Sequence, residues 1–182
     1  MLSKYLIYLC LLPTLLLTGC GFKLRGAETF AFQRLYIQAD PKSTLTLEVK
    51  RSVHFNPATQ VVSNLNEADA ILQILSSTRE QQVISLNRQG QVLEYRLVQQ
   101  IRFSLRNHQQ QFLIAPTELT LSRDLTYNAA AVLAKEVEQA KLYQSMDEDM
   151  AQQIVRRLAA IKTLTPIQTA DPSQLAPLQP TP

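Results

Sequence analysis

The steadiest pattern in the chain is a strict alternation from residue 93 to 105. Leu93, Tyr95, Leu97, Ile101, Phe103 and Leu105 fall on one face, while Glu94, Arg96, Gln100, Arg102 and Ser104 fall on the other. A period of two is that of a β-strand with one face on a core. Ahead of it, residues 70–86 are rich in Ile, Leu and Val, and their polar stretch from Ser76 to Gln82 predicts a strand that runs on past the core. Asn87-Arg88-Gln89-Gly90 separates the two, with Gly90 able to take the positive φ that a tight hairpin needs. A second turn is predicted at 107–110, after which Leu113, Ala115, Leu119, Leu121 and Leu125 carry the alternation into a third long strand. Pro116 removes a ladder donor, which places that strand at an edge or bulges it there.

The period changes on either side of this meander. Arg34 to Gln38 alternates as a short strand and is stopped by Asp40-Pro41. From Ser43 to His54 the apolar residues Leu45, Val49 and Val53 recur at fours, with Ser43 as a cap and Pro57 just beyond, which predicts a helix. A β-like piece at 60–63 and a turn-like 64–67 follow. From Ala129, Leu133, Val137, Ala140, Tyr143, Met146, Met150, Ile154, Leu158 and Ile161 step by three or four. That is a second helix with one apolar stripe, Asn128 at its N-cap and Arg156, Arg157 and Lys162 at its C-terminal end. At about 1.5 Å per residue it would approach about 50 Å if unbroken. After Thr163 come five prolines among Gln, Thr and Ala, a tail too poor in apolar surface to fold.

Single-faced strands and single-striped helices bury one another in two layers. The expected fold is therefore α+β, a two-layer sandwich of a mostly antiparallel four-stranded sheet with two helices on one face. It would span residues 34–162, followed by a disordered Pro-rich tail at 163–182. The outer sheet face, with Arg96, Gln100, Arg102, Glu118 and Thr120, is polar enough to meet water or a wet interface.

The N-terminus adds a compartment. Lys4 gives a short positive start, Tyr5 to Leu17 is almost wholly apolar, and Leu17-Thr18-Gly19-Cys20 closes the run. A transmembrane helix needs about 20 apolar residues, more than this stretch supplies. Two readings stand: an ordinary secretory signal with Cys20 as a core thiol, or a lipoprotein leader at 1–19. The second is favoured because a small residue and the Cys coincide where the apolar run ends, as in a bacterial lipobox, which Leu17-Thr18-Gly19-Cys20 resembles. Cys20 would then carry the lipid, residues 20–33 would form a tether, and Cys10 would be removed with the leader. The mature chain of 163 residues would hold no free thiol and would bury close to 70% of its unfolded surface. Each buried methylene contributes about 0.8 kcal/mol, so several acyl chains anchor durably. Gly21, where inner-membrane lipoproteins carry Asp, favours export to the outer membrane by resemblance to Gram-negative lipoproteins.

Charge narrows the choice little. Without Lys4 the mature chain has 17 basic and 15 acidic side chains, which argues against a nucleic-acid-coating protein. His54 and His108 stand far from any metal-ligand spacing, no G-x-S-x-G elbow occurs, and four glycines are too few for a phosphate-cradling loop. Asp147, Glu148 and Asp149 read as a solvated acidic run on a helix. Neither an enzyme nor a cofactor or metal site is expected.

Four stretches together resemble a known family. They are Gly19-Cys20-Gly21-Phe22-Lys23-Leu24-Arg25-Gly26, Asn87-Arg88-Gln89-Gly90-Gln91 with Glu94-Tyr95, Leu133-Ala134-Lys135-Glu136, and residues 149–158, Asp-Met-Ala-Gln-Gln-Ile-Val-Arg-Arg-Leu. In order and spacing the chain resembles the LPS-assembly lipoprotein LptE family across its whole mature domain. That resemblance implies a non-enzymatic partner of the outer-membrane β-barrel LptD, forming a heterodimer. The domain would lie on the periplasmic side and within the barrel lumen, assist barrel assembly, and bind lipopolysaccharide on its way to the outer leaflet. It also implies that Arg88 and Lys135 contact lipopolysaccharide, although Lys135 has Glu138 three positions on as an ordinary helix partner. The alternative is a lipid-anchored periplasmic adaptor or auxiliary subunit of another envelope lipid-transport machine. A lipoprotein hydrolase with an unrecognised site is a third and weaker reading.

Overall fold

The computed structural model describes residues 29–166; the leader 1–19, Cys20 and most of the Pro-rich tail lie outside them. The elements run β1 (Arg34–Gln38), α1 (Thr44–His54), β2 (Gln60–Val62), β3 (Ala70–Leu86), β4 (Val92–Asn107), β5 (Phe112–Thr126) and α2 (Val132–Ala159). Short 3-10 turns at Leu65–Glu67 and Ala129–Ala131 lead into β3 and α2.

The meander forms as its periodicity predicts. β4 is flanked by β3 and β5 in antiparallel ladders, and its odd-numbered residues Leu97, Ile101, Phe103 and Leu105 are fully buried. β5 is an edge strand and is also bulged at its proline, for the register jumps from Phe103↔Thr117 to Leu105↔Ile114 across Ala115 and Pro116. Both consequences of the missing N–H are thus present together.

The expected four-stranded, mostly antiparallel sheet is corrected to a five-stranded mixed sheet in the order β2-β1-β3-β4-β5. β1 runs parallel to both β2 and β3. The reason is the crossover: α1 returns the chain from the end of β1 to its beginning, so the next strand must run the same way. The β-like piece at 60–63 is that fifth strand. Periodicity reports that a segment is extended, not which way it points.

Both helices cover one sheet face. Leu45, Val49 and Val53 of α1 meet Met150, Ile154, Val155 and Leu158 of α2 in one core with Leu35, Leu72, Ile101, Phe103 and Leu105. Packing continues outside the span 34–162: Phe32 is buried against Phe30 in a stacked pair, and Leu164 rests on the core. Asp69 clamps the strand starts by accepting from the Arg34 backbone N–H at 2.9 Å and the Arg34 guanidinium at 2.6 Å. Those guanidinium bonds hold its carboxyl below the usual carboxylate range.

The two hairpin turns share one construction. Asn87 Oδ1 accepts from the N–H groups of Gln89 and Gln91, each at 2.9 Å, and Asn107 Oδ1 accepts from that of Gln111 at 2.9 Å. Gly90 takes φ 76° without strain, whereas the equivalent Gln110 is held at φ 64°, where a side chain carries a steric cost.

The long helix departs from expectation at its start. Asn128 caps the 3-10 turn, accepting from Ala130 N–H at 2.9 Å, and α2 proper has 28 residues. Its single stripe is buried only from Met146 onward, while Leu133 is 74% and Val137 51% exposed. The β3 register explains this, because Ser77, Arg79 and Gln81 lie opposite Ile101, Gln99 and Leu97 of β4. Polar residues thus occupy the inward face of β3 where the stripe needed apolar ones.

Phe103→Ala should cost about 3–5 kcal/mol and Ile154→Ala about 2–5 kcal/mol, as buried large-to-small changes do. Exposed Gln100→Ala should stay within about 0.5 kcal/mol. Urea unfolding of the three variants checks the assignment of sheet faces.

Candidate functional site

Past the core, the outer halves of β3 and β4, the end of β5 and the first half of α2 project as an arm. Beyond Ile74, β3 is exposed at almost every residue. The ladder nonetheless persists to Leu86↔Val92, and Tyr127 N–H donates to Leu93 O at 2.7 Å, so β5 and the lead into α2 follow the hairpin outward. Tyr95 and Tyr127 stack edge to face with centroids 5.3 Å apart.

Arg88 stands exposed in the tip turn and forms no ion pair among the described residues. Lys135 lies on the first turn of α2, where its Nζ donates to Thr126 Oγ1 at 3.1 Å and pairs with Glu138 at 2.8 Å. Thr126 pairs in register with Glu94, two positions along β4 from Val92 at the tip. The fold therefore brings Arg88 and Lys135 to the same end of the molecule, although Lys135 is engaged locally. The helix pair weighed from the sequence does form; such pairs contribute only about 0.2–0.5 kcal/mol, so an anion can displace it.

The arm is amphipathic. Val83, Ile84, Leu86 and Leu93 on the hairpin and Val132, Leu133 and Val137 on α2 are exposed apolar residues around these cations. A cleft of about 330 Å³ lies between α2 and β3, lined by Arg79, Glu136, Gln139, Ala140 and Tyr143. Burial pushes the Tyr143 phenol up, and its OH donates to Glu80 O at 3.1 Å.

A buried polar cluster marks where the core ends and the arm begins. Asp147, expected as a solvated acid, is only 2% exposed. It accepts from Gln99 Nε2 at 2.6 Å and from the Arg79 guanidinium at 2.7 Å, and Arg79 in turn sits over the Tyr143 ring at 4.8 Å. The correction has a physical cause: on a helix Asp147 shares a face with Tyr143 and Met150, so it points at the sheet. Gln99 likewise breaks the apolar alternation of β4 at an inward position. Two polar residues in apolar phase were the available signal. Asp149 pairs with Arg123 of β5 at 2.6 Å across an exposed contact.

His54 and His108 are both exposed, and no group of three metal-binding side chains occurs among the described residues. The outer sheet face carries an exposed fork from Arg96 to Asp124, at 2.8 and 3.1 Å, whose hydrogen bonds lower the Asp124 carboxyl.

Fold and surface together define an α+β base carrying a projecting amphipathic arm. A profile of the family LptE, described as lipopolysaccharide-assembly, matches residues 32–158. The LPS-assembly lipoprotein LptE of Yersinia enterocolitica is 31% identical over 166 residues, covering 88% of this chain and 78% of the relative. Lipoprotein B of Nitrosomonas europaea has a similar structure, with a TM-score of 0.67 and 34% identity over 77% of this chain and 91% of that one. Rare lipoprotein B of Shewanella oneidensis shares the fold, with a TM-score of 0.62 and 23% identity over 70% and 94% of the two chains. The chain belongs to the LptE family of LPS-assembly lipoproteins, which are not enzymes.

Asp147→Ala would leave the Gln99 amide buried without its acceptor and should cost about 1–3 kcal/mol. Asp149→Ala breaks an exposed pair and should cost at most about 1 kcal/mol. Hydrogen exchange should also show faster opening at residues 132–145 in the first variant and no such change in the second.

Proposed function

We propose that the protein is an outer-membrane lipoprotein, anchored through Cys20, that plugs the LptD β-barrel, assists its assembly and binds lipopolysaccharide for insertion into the outer leaflet. Family membership supports the class. The observation that carries the ligand reading is the convergence of Arg88, Lys135 and exposed apolar side chains at one end of the fold. Lipopolysaccharide joins phosphates to acyl chains, and this surface offers a partner for each. Arg presents a planar fork of donors suited to phosphate oxygens, and Lys a compact charge. The first turn of α2 adds favourable potential for an anion.

The plug reading is supported by the outer sheet face. A porin-like lumen is polar and wet. Arg96, Gln100, Arg102, Glu118 and Thr120 are all exposed there, and such a face would lose little on meeting that wall. In detergent the lipidated chain should co-purify with one large barrel protein at equal stoichiometry; recovery with a soluble periplasmic partner instead would favour the adaptor reading.

Arg88→Asp combined with Lys135→Asp should weaken lipopolysaccharide binding to the purified domain at least tenfold, with its melting temperature and barrel association retained. Unchanged binding at matched salt would reduce the function to plug and assembly factor.

Cys20→Ala should leave the domain folded and abolish its retention in salt-washed membranes from cells lacking the barrel. Persistence in those membranes would overturn the anchor.

A further inference from the structure

The end opposite the arm carries a second cationic surface. The α1 crossover brings Lys50, Arg51 and His54, on the last turns of that helix, beside Gln60 and Val61 of β2, and the five line a cleft of about 590 Å³. Phe55, next in sequence, is 75% exposed, the most exposed large apolar side chain among the described residues. Of the acidic groups at this end, Glu48 already pairs with Arg51 at 2.8 Å and Asp69 with Arg34 at 2.6 Å, while Glu67 is exposed. Arg156 and Arg157 add charge from α2, whose C-terminal half runs toward the same end as its residues pass from Met146 beside Leu97 to Leu158 in the main core.

The chain also enters the fold here. Gln60 N–H donates to Gln33 O at 2.7 Å, and Thr59 Oγ1 donates to Phe32 O at 3.3 Å, so Phe32 and Gln33 lie beside the same cleft. Between Cys20 and Phe30 the backbone can span at most about 36 Å in any conformation, at about 3.6 Å per residue. A lipid on Cys20 would therefore keep this end within about 36 Å of the bilayer surface.

We propose that this basic end, with Lys50, Arg51 and His54 around the protruding Phe55, docks on the anionic phospholipid headgroups of the leaflet that carries the anchor. The inference rests on the anchor at Cys20 for its orientation but not for its chemistry. Basic side chains near an anionic leaflet attract it additively, and an exposed aromatic ring inserts at the interface. On its own such a patch binds weakly. Tethered, it acts at a high effective concentration and sets which end of the domain faces the membrane.

The test uses the mature chain carrying Cys20→Ala, which removes the anchor and keeps every other residue. It is sedimented with vesicles of phosphatidylcholine alone and of phosphatidylcholine mixed with phosphatidylglycerol. Binding to the mixed vesicles only, falling as salt is raised, is the expected result. Adding Lys50→Gln and Arg51→Gln should weaken it at least tenfold, since each basic side chain contributes about a fivefold factor. Phe55→Ser should weaken it further, and Arg88→Asp with Lys135→Asp should weaken it less than the basic-end pair does. Arg156→Gln with Arg157→Gln, on a different helix, provides a second loss should the α1 variant fail to fold. Equal binding by folded basic-end variants, equal binding to both vesicle types, or loss only in the arm variant would overturn the proposal. Mass spectrometry of the unsubstituted protein separates the two ideas. An unmodified Cys20 would remove the anchor while leaving the vesicle result standing.

Discussion

One sheet face must be covered, and the contact of Ile101, Phe103 and Leu105 with Met150, Ile154 and Leu158 covers it. These side chains are fully buried and belong to β4, the middle strand of the meander, and to the helix α2. Because the contact occupies only the inner half of each, it leaves the outer halves free to project. Extending the apolar pattern of β3 past Ile74 would have closed the core over the whole helix. Ser77, Arg79 and Gln81 stop it.

At that boundary the hydrophobic contribution gives way to directed bonds. Asp147, Gln99 and Arg79 fix the helix to the sheet at the point where packing fails, and a buried carboxylate with two donors tolerates little change of angle. The direction in which the arm points is therefore set by polar geometry, and beyond it a small apolar cluster of Leu97, Leu125 and Met146 holds the helix to β4 and β5. This division suits an element that must present cations and apolar side chains to a partner. The small core of Leu97, Leu125 and Met146 in the arm leaves them outside it.

Much of this was legible in the sequence, and the failures share a cause. The alternation of β4, the hairpin at Asn87 to Gly90, the helix after Ser43 and the effect of Pro116 were read from local pattern, because each depends on residues adjacent in the chain. Strand direction, the place of the β-like piece at 60–63 in the sheet, the burial of Asp147 and the exposure of Leu133 and Val137 were not, because each depends on what lies opposite. Gln110 shows the same limit in a turn. Its positive φ follows from an Asn-x-x-x-Gln frame shared with residues 87–91, which overrides the preference for glycine. For the candidate site, the resemblance selected Arg88 and Lys135, but only the β4–β5 register brings the hairpin tip and the start of α2 to one end.

The two ends differ in what surrounds their charge. At the arm, Arg88 and Lys135 stand among exposed Val, Ile and Leu side chains on a narrow projection, which favours a ligand that is itself part anion and part hydrocarbon. At the base, Lys50, Arg51 and His54 lie over a broad packed end where Phe55 is the one exposed Phe or Tyr ring among the described residues, which favours a charged surface over a single molecule. A near balance of 18 basic and 15 acidic residues over the whole chain conceals this division. Acidic side chains pair along the middle, as in Asp124 with Arg96, Asp147 with Arg79 and Asp149 with Arg123, and also at the ends, as in Glu138 with Lys135 and Glu48 with Arg51. Among the described residues Arg88 at one end and Lys50 at the other form no ion pair, so that a domain of small net charge carries an unpaired cation at each extremity.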